Sequence, residues 1–288
     1  MFLKKIPLRR PGLSSQGVPA PNLNFSGLLK FRKPHLFLFF SLLFFFFSTG
    51  CREAVRTLNR GEKQTLQRIL EHWETWMPQK KKQGTAPLLD FEELQQGLGP
   101  EEQAFLRKIW GIRLPNRPHL GFPEKGTLFI RIEDEGVIRN GKKERLDPQY
   151  LPEPVYQAYQ KMMTAMEKDL EKRLRVDSGF RSPAYQLYTF LFYLPKHDHS
   201  IGKTREWVAL PGYSEHGSPS KQAIDFINEQ GINGEDRAED FENLSEYGWL
   251  LAYAGQYGFE LSYPRGIKGT TFEPWHWRFC NGSCKNAG

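Results

Sequence analysis

Glu273-Pro274-Trp275-His276-Trp277 lies close to the end of this 288-residue chain and puts a carboxylate three residues before a histidine. Farther upstream, Ser214-Glu215-His216 and Asp225 add a second imidazole and further carboxylates. A catalytic zinc site takes three protein ligands from His, Asp, Glu or Cys and keeps one position for water. His216, Asp225 and His276 can supply those ligands, and Glu273 is a candidate base for the water. Each residue alone is more typical of a structural role, so the hypothesis depends on their combination.

The excess positive charge is confined to the first part of the chain. The net charge is +7 and the pI about 9.2, but residues 1–50 hold seven basic side chains and no acidic one, and the remainder carries 33 of each sign. A phosphate-binding groove needs Lys and Arg clustered on the folded part. The basic runs there, Lys80-Lys81-Lys82 and Lys142-Lys143, are short and flanked by turn residues. The composition therefore argues against a nucleic-acid-binding protein.

Residues 1–50 are predicted to be an export segment. Three basic residues between positions 30 and 33 precede the apolar run 36–47, which at 12 residues is shorter than the roughly 20 that a transmembrane helix needs. The following Ser48-Thr49-Gly50-Cys51 resembles a bacterial lipoprotein signal, in which the cysteine carries the lipid, although Ser48 stands where that signal usually has Leu. We expect an exported periplasmic or cell-surface protein that is anchored to the membrane through Cys51. An ordinary cleaved signal is the alternative.

Cys280 and Cys284 remain once Cys51 is set aside for a lipid. An even pair of cysteines outside the cytosol is typical of a disulfide, and the Asn281-Gly282 turn between them can bring the sulfurs together. Without a second cysteine pair, they would make a poor structural zinc site. A disulfide is therefore predicted, and free thiols are the alternative.

Residues 51–113 are predicted to form a helical extension. Pro100-Glu101-Glu102 opens the second of two runs with helical periodicity. No catalytic constellation is found in this stretch, so its apolar stripe is interpreted as core or as a docking face on the following domain, with His72 as a surface residue. The stripe consists of Leu66, Ile69, Leu70, Trp73 and Met77. Residues 114–126 contain several prolines and are predicted to be a linker.

Residues 127–284 have a mixed pattern of strands and helices. Arg181 lies at a predicted strand-to-helix junction, where a guanidinium can bind a substrate carboxylate or an oxyanion. Taken alone, Arg181 would be interpreted as a surface ion-pair partner. The expected elements are a strand at 127–132, a helix at 154–172 with methionines on its inner side, a strand at 173–176 and a helix that begins at Pro183.

Four separated blocks of this sequence resemble VanY-type D-alanyl-D-alanine carboxypeptidases. They occur in the order that this family has and span about residues 145–280. The blocks are Ser178-Gly179-Phe180-Arg181-Ser182 with Gln186; Pro211-Gly212-Tyr213-Ser214-Glu215-His216 with Ala223-Ile224-Asp225-Phe226; Tyr257-Gly258-Phe259 with Tyr263-Pro264; and Glu273-Pro274-Trp275-His276-Trp277.

The resemblance implies a fold and a set of roles. The implied fold is α+β, with a small, mostly antiparallel sheet that carries the zinc site and is flanked by helices. By resemblance, His216, Asp225 and His276 would bind one Zn²⁺, and Glu273 would be the catalytic base, with Arg181 supporting catalysis. The side chains expected to contact substrate are Gln186, Ser214, Tyr213 and Trp275.

One departure from the family pattern touches the predicted metal site. In the family the aspartate usually follows the histidine by seven residues, whereas Asp225 follows His216 by nine. Residues 217–222 between them contain turn formers, and Ala223 keeps its usual place before Asp225. The sequence therefore predicts a longer loop between intact ligands. A slipped ligand register and a degraded site are the alternative.

A second histidine cluster, His197-Asp198-His199, lies before Pro211. Two imidazoles and a carboxylate in so short a stretch can bind a metal. The resemblance does not require them, and a solvated polar loop is the favoured interpretation.

These observations predict a zinc metallopeptidase that removes a C-terminal D-alanine from peptidoglycan stem peptides, with zinc-activated water as nucleophile. Three activities on the same stems are enzymatic alternatives, because specificity depends on pocket shape: L,D-carboxypeptidase, dipeptidase and endopeptidase. A zinc-stabilised wall-binding module without catalysis is the alternative from another class, but such a module has no need of Glu273.

Overall fold

The computed structural model describes residues 55–115, 117–235, 237–267 and 271–280. Asn59 begins the first helix with a capping box, in which its side chain accepts from the Glu62 backbone and the Glu62 carboxylate accepts from the Asn59 backbone. Pro100 lies in the first turn of the fourth helix, where a missing N–H costs nothing. The four helices of this part are α1 (Arg60–Glu74), α2 (Met77–Lys82), α3 (Phe91–Gln95) and α4 (Pro100–Trp110).

Two small antiparallel pairs of strands and a long helix follow. The pairs are β1 (Phe129–Ile132) with β4 (Gln149–Pro152), and between them β2 (Gly136–Arg139) with β3 (Lys142–Arg145). Asn140 and Gly141 connect β2 to β3 with positive φ angles of 50° and 72°, as the tight hairpin turn requires. Helix α5 (Glu153–Leu170) ends where Glu171 adopts a left-handed conformation with φ 55°.

The remaining elements form the main sheet and the helices beside it. In chain order they are β5 (Arg175–Ser178), α6 (Pro183–Tyr193), α7 (Ile201–Thr204), β6 (Ala223–Ile227), α8 (Ala238–Glu242), α9 (Ser245–Tyr253), β7 (Phe259–Leu261) and β8 (His276–Phe279). The sheet order is β5-β6-β8-β7, with every neighbouring pair antiparallel. Strands pair with both edges of β6, and all five of its residues are buried. Asp225 on β6 pairs in register with His276 on β8.

Two hydrophobic cores support this sheet and the helices before it. In the second core, α5, α8 and α9 pack on the sheet, and the inner face of α5 includes the buried Tyr159 and Met162. In the first core, α1 to α4 pack against α6, where the Trp73 and Tyr188 rings lie 5.5 Å apart. Leu187 and Phe190 of α6 are fully buried there. The N-terminal helices therefore share a core with a helix of the predicted catalytic domain.

The α+β fold with a small antiparallel sheet is confirmed. The predicted helix at 154–172 is observed as Glu153–Leu170, and the helix predicted from Pro183 begins at that residue. The strand predicted at 173–176 lies two residues later, at Arg175–Ser178. A bulge between Val176 and Ser178 extends the strand, so that Ser178 pairs with Asp225. The predicted linker packs against the folded part, where the Leu120 amide donates to the Gly212 carbonyl at 2.8 Å.

Several predictions fall on residues outside the described ranges. The export segment, the lipid anchor at Cys51 and the partner of Cys280 in the predicted disulfide, Cys284, belong to them and stay predictions. Within the described ranges, every helix is too short or too polar to cross a bilayer.

Replacing Leu187 with Ala tests whether the N-terminal helices and α6 form one cooperative core. Leu187→Ala should lower the free energy of unfolding by about 2–5 kcal/mol, because it leaves a cavity in the shared core. Leu251→Ala is the matched control, because Leu251 is 58% exposed on α9. It should change the free energy of unfolding by less than about 0.5 kcal/mol. Urea unfolding followed by circular dichroism should show a single transition that shifts as a whole. Two transitions, of which only one moves, would contradict the shared core.

Candidate metal and catalytic site

Three different local structures bring His216, Asp225 and His276 together. His216 lies in the 3-10 turn Glu215–Gly217, Asp225 in the centre of β6, and His276 at the start of β8. One ligand atom from each residue lies within 4.8 Å of the other two. All three side chains are buried, with exposures of 2%, 8% and 6%. They form a cage that can hold a metal ion.

His216 presents an electron pair to this cage. Its Nδ1 lies 2.7 Å from the Gly179 carbonyl, which can only accept, so the proton resides on Nδ1. Nε2 is then unprotonated, and it is buried without a hydrogen-bond partner although Asp225 Oδ2 lies 3.1 Å away. Burial, together with the positive charge of Arg181, lowers the pKa of His216 to about 4 and keeps the ring neutral. Two facing electron-pair donors in a buried site are what a bound cation would satisfy.

His276 lies between two carboxylates. Its Nδ1 is 2.8 Å from Asp225 Oδ1, and its Nε2 is 3.2 Å from Glu215 Oε2. Burial alone would lower the pKa of His276, but Asp225 and Glu215 outweigh burial and raise it to about 9. The same imidazoles hold the pKa of Asp225 far below its usual range, against the effect of burial. Without a cation, the site therefore holds a proton on His276.

Glu215 was not among the predicted site residues. Its second oxygen accepts from Arg278 Nη1 at 2.9 Å, and the Arg278 guanidinium also bonds Glu260 at 2.6 Å. Burial raises the pKa of Glu215, but the bond from His276 and the charges of His276 and Arg278 outweigh burial and lower it to about 2. One sequence signal was present, because His276 and Arg278 are two residues apart on a strand and so share a face.

The two extra residues between His216 and Asp225 do not separate the candidate ligands. Within residues 217–222, Ser218 Oγ accepts from the Lys221 amide at 3.1 Å, and Gln222 closes the loop by accepting from the Phe279 amide at 2.9 Å. Asp225 therefore enters β6 in register with His276, as a loop extension between intact ligands predicts.

Two glycines allow the segment before α6 to approach the cage. A Cβ on Gly179 would lie 2.4 Å from the Tyr150 carbonyl oxygen, and one on Gly217 would lie 2.8 Å from that of Arg181. Any side chain would push these backbones apart. The close approach lets the Gly179 carbonyl reach His216, and it lets the Arg181 amide bond the His216 carbonyl at 3.0 Å.

Glu273 and Arg181 border the cage. Glu273 Oε2 lies 3.9 Å from His276 Nδ1, and the turn that links the two residues is closed by the His276 amide donating to the Glu273 carbonyl at 3.2 Å. Burial raises the pKa of Glu273, opposed by the charges of His276 and Arg181. Arg181 is partly buried, and its Nε has no hydrogen-bond partner. The site thus places a carboxylate and a guanidinium beside the three candidate ligands.

The residues predicted to contact substrate have different surroundings. Gln186 is 2% exposed, donates from Nε2 to the Ala209 carbonyl at 2.8 Å, and leaves Oε1 without a partner. The Tyr213 hydroxyl accepts from the Leu114 amide at 2.9 Å, and Trp275 packs against Gly234 and the second core. Ser214 begins the turn that carries His216. Substrate contact by these four side chains stays a prediction.

The second histidine cluster is arranged differently. The His197 ring stacks on Trp207 with centroids 5.9 Å apart, and Asp198 accepts from Lys203 at 2.7 Å. Asp198 and His199 both have positive φ angles, of 58° and 57°. In the described part of the chain, the group whose ligand atoms converge is that of His216, Asp225 and His276.

Part of this chain is similar to known proteins. Residues 148–282 match the family model of VanY, D-alanyl-D-alanine carboxypeptidase. The bifunctional D-Ala-D-Ala dipeptidase and D-Ala-D-Ala carboxypeptidase VanXYC of Enterococcus gallinarum is 29% identical over 133 residues, which cover 45% of this chain and 67% of that protein. The putative carboxypeptidase YodJ of Bacillus subtilis (strain 168) is 29% identical over 145 residues, which cover 48% of this chain and 49% of that one.

A solved LdcB LD-carboxypeptidase superposes with a TM-score of 0.43 and 27% identity, over 58% of this chain and 72% of that chain. The chain spans two thirds of the length of VanXYC and about half that of YodJ. The match to the family model includes His216, Asp225, Glu273 and His276. Residues 148–282 therefore match the VanY family of D-alanyl-D-alanine carboxypeptidases, as the four sequence blocks predicted.

Proposed function

We propose that this protein is a zinc-dependent carboxypeptidase that removes a C-terminal D-alanine from peptidoglycan stem peptides. The observation that carries the proposal is the buried cage of His216, Asp225 and His276, with the unpartnered His216 Nε2 directed at Asp225 and with Glu273 at its border. The match to the VanY family supports the substrate class, since the family is described as D-alanyl-D-alanine carboxypeptidases.

The donor set of the cage fits zinc. Two neutral imidazole nitrogens and one carboxylate oxygen are ligands that Zn²⁺ accepts, and three protein ligands leave a position open, as in catalytic sites. Zn²⁺ bound there would supply Lewis acidity that lowers the pKa of a water molecule toward neutrality. His216 and His276 would bind it through Nε2 and Nδ1, the nitrogens that face Asp225.

Glu273 is placed to move the proton of the attacking water. Its Oε2 is near the cage without belonging to the three ligands, and 32% of the side chain is exposed, so substrate and water can reach it. Burial raises its pKa, and a carboxylate with a raised pKa is a better proton acceptor. Glu273 would take the proton from water and deliver it to the leaving amine of D-alanine.

Arg181 is suited to the negative charge of the substrate. A guanidinium is a cation with five N–H donors, and the Arg181 amide bonds the His216 carbonyl at 3.0 Å, so the residue lies beside the cage. It would bind the terminal carboxylate or stabilise the oxyanion that forms when water adds to the peptide carbonyl. Gln186 Oε1, buried without a partner, is available to accept from a substrate N–H.

Zinc titration tests whether the metal binds at the cage or at the second histidine cluster. The wild-type protein should bind one equivalent, measured by competition with a chromophoric chelator. His216→Ala should weaken binding by more than the roughly 10–100-fold that loss of an outer hydrogen-bond partner costs, because it removes a ligand. His199→Ala is the matched control and should bind as the wild type does. Equal losses in the two variants would contradict the ligand assignment.

Glu273→Gln separates metal binding from proton transfer. The variant should keep its zinc and lose on the order of 10²–10⁴-fold in kcat, since the amide cannot take a proton. Glu93→Gln, at a carboxylate 38% exposed and paired with Lys80 among the N-terminal helices, should retain wild-type kcat. Hydrolysis by Glu273→Gln at the wild-type rate would exclude Glu273 as the base.

Defined stem peptides identify the reaction. Pentapeptide and tetrapeptide stems and free D-Ala-D-Ala should be incubated with the full protein, with and without chelator, and the products identified by mass spectrometry. Release of one D-alanine from the pentapeptide alone, abolished by the chelator and restored by Zn²⁺, is the expected result. Release from the tetrapeptide, cleavage of the dipeptide or cleavage within a stem would assign one of the related activities. Zinc binding without any product would indicate a wall-binding module.

A further inference from the structure

The carboxylate of Glu215, which the catalytic scheme does not use, connects His276 to Arg278. One oxygen lies 3.2 Å from His276 Nε2, and the other accepts from Arg278 Nη1 at 2.9 Å. The Glu215 side chain is 9% exposed and that of Arg278 is 24% exposed. Both oxygens of a nearly buried carboxylate are therefore engaged, one by a predicted metal ligand and the other by a cation.

The position of Glu215 decides which nitrogen of His276 can bind a metal. A neutral imidazole carries one proton, and the nitrogen without it supplies the electron pair. A carboxylate beside Nε2 favours the proton at Nε2, because it can accept from an N–H there and would repel a lone pair. Nδ1, which faces Asp225 Oδ1 at 2.8 Å, is then the nitrogen free to bind.

Arg278 and Glu260 hold Glu215 in place. Arg278 lies two residues after His276 on β8 and shares its face, and Glu260 on β7 pairs with Arg278 in the sheet register. The guanidinium bonds Glu260 at 2.6 Å as well as Glu215. Glu215 also directly precedes His216, so that one dipeptide supplies a ligand and the partner of another ligand. Hydrogen-bond partners of this kind fix ligand orientation and strengthen metal binding in other proteins.

We propose that Glu215 is a positioning residue for the metal site, which selects Nδ1 of His276 as ligand by accepting the Nε2 proton, and that Arg278 fixes Glu215 in that role. The inference rests on the zinc site of the proposed function, but it concerns metal binding and holds whichever stem peptide is cleaved. A glutamine amide cannot replace the Glu215 carboxylate. Its single oxygen can accept from only one of the two donors, His276 Nε2–H or Arg278 Nη1–H, and its NH₂ group would then face the remaining donor.

Zinc affinity of the full protein tests the proposal. Glu215→Gln should weaken zinc binding by about 10–100-fold in a chelator competition. Glu246→Gln is the matched control: Glu246 is a buried carboxylate, 3% exposed on α9, that accepts from Ser245 Oγ at 2.8 Å and lies 3.8 Å from Lys172 Nζ. The Glu246→Gln variant should bind zinc with wild-type affinity even if the protein becomes less stable. Arg278→Met should weaken binding in the same direction, and Arg278→Lys, which keeps the cation, should restore most of the affinity.

Histidine ¹⁵N NMR of the zinc-loaded wild type gives a readout that needs no variant. The expected spectrum shows a protected proton on Nε2 of His276 and none on Nδ1. A proton on Nδ1, or equal zinc affinity in Glu215→Gln and the wild type, would overturn the proposal, as would equal losses in Glu215→Gln and Glu246→Gln. If Glu215→Gln does not fold, the wild-type spectrum and the two Arg278 variants decide the question. A zinc-binding protein that cleaves no stem refutes the proposed function and leaves this inference standing.

Discussion

The central constraint on this structure is a buried site in which His216 Nε2, Asp225 and His276 Nδ1 face one another. Burying these groups together costs free energy. Electron-pair donors that face one another away from water are unfavourable unless a proton or a cation lies between them. The raised pKa of His276, about 9, favours a proton there when no cation is bound, whereas the neutral His216 has no partner at Nε2. The surrounding sheet and turns hold these groups in place despite that cost. Strain of this kind is typical of a functional site rather than of a core.

The segment from Gly179 to Ser182 shows how the cage is held. Its four amides donate to three different parts of the chain: the Gln149 side chain and the Tyr150 carbonyl of β4, the His216 carbonyl, and the Pro87 carbonyl. In return, the Gly179 carbonyl fixes the ring of His216. The position of Arg181 is therefore set by strand β4, by the turn that carries His216 and by the N-terminal helical segment together.

The candidate site was largely predictable because its residues have distinctive types and neighbours. His216, Asp225, Glu273 and His276 could be selected from ligand chemistry, and the order of the motifs predicted the α+β fold. The function of Glu215 could not be predicted in this way, because its partner His276 is 61 residues away and meets it only through the sheet. Substrate contact by Tyr213 stays a prediction, but the bond between its hydroxyl and the backbone of Leu114, 99 residues away, could not be read from the sequence. The helix predicted to end at residue 172 ends at Leu170, because Glu171 adopts a left-handed conformation.

The core that α6 shares with the N-terminal helices limits where the chain can be truncated. The family match begins at residue 148, which follows all four N-terminal helices. A fragment that starts there would expose the side of α6 that carries Leu187, Phe190 and Leu191, and it would remove Pro87, the acceptor of the Ser182 amide. The sequence match therefore outlines the candidate site, whereas we expect a stable fragment to be longer and to include the helices from Arg60 onward.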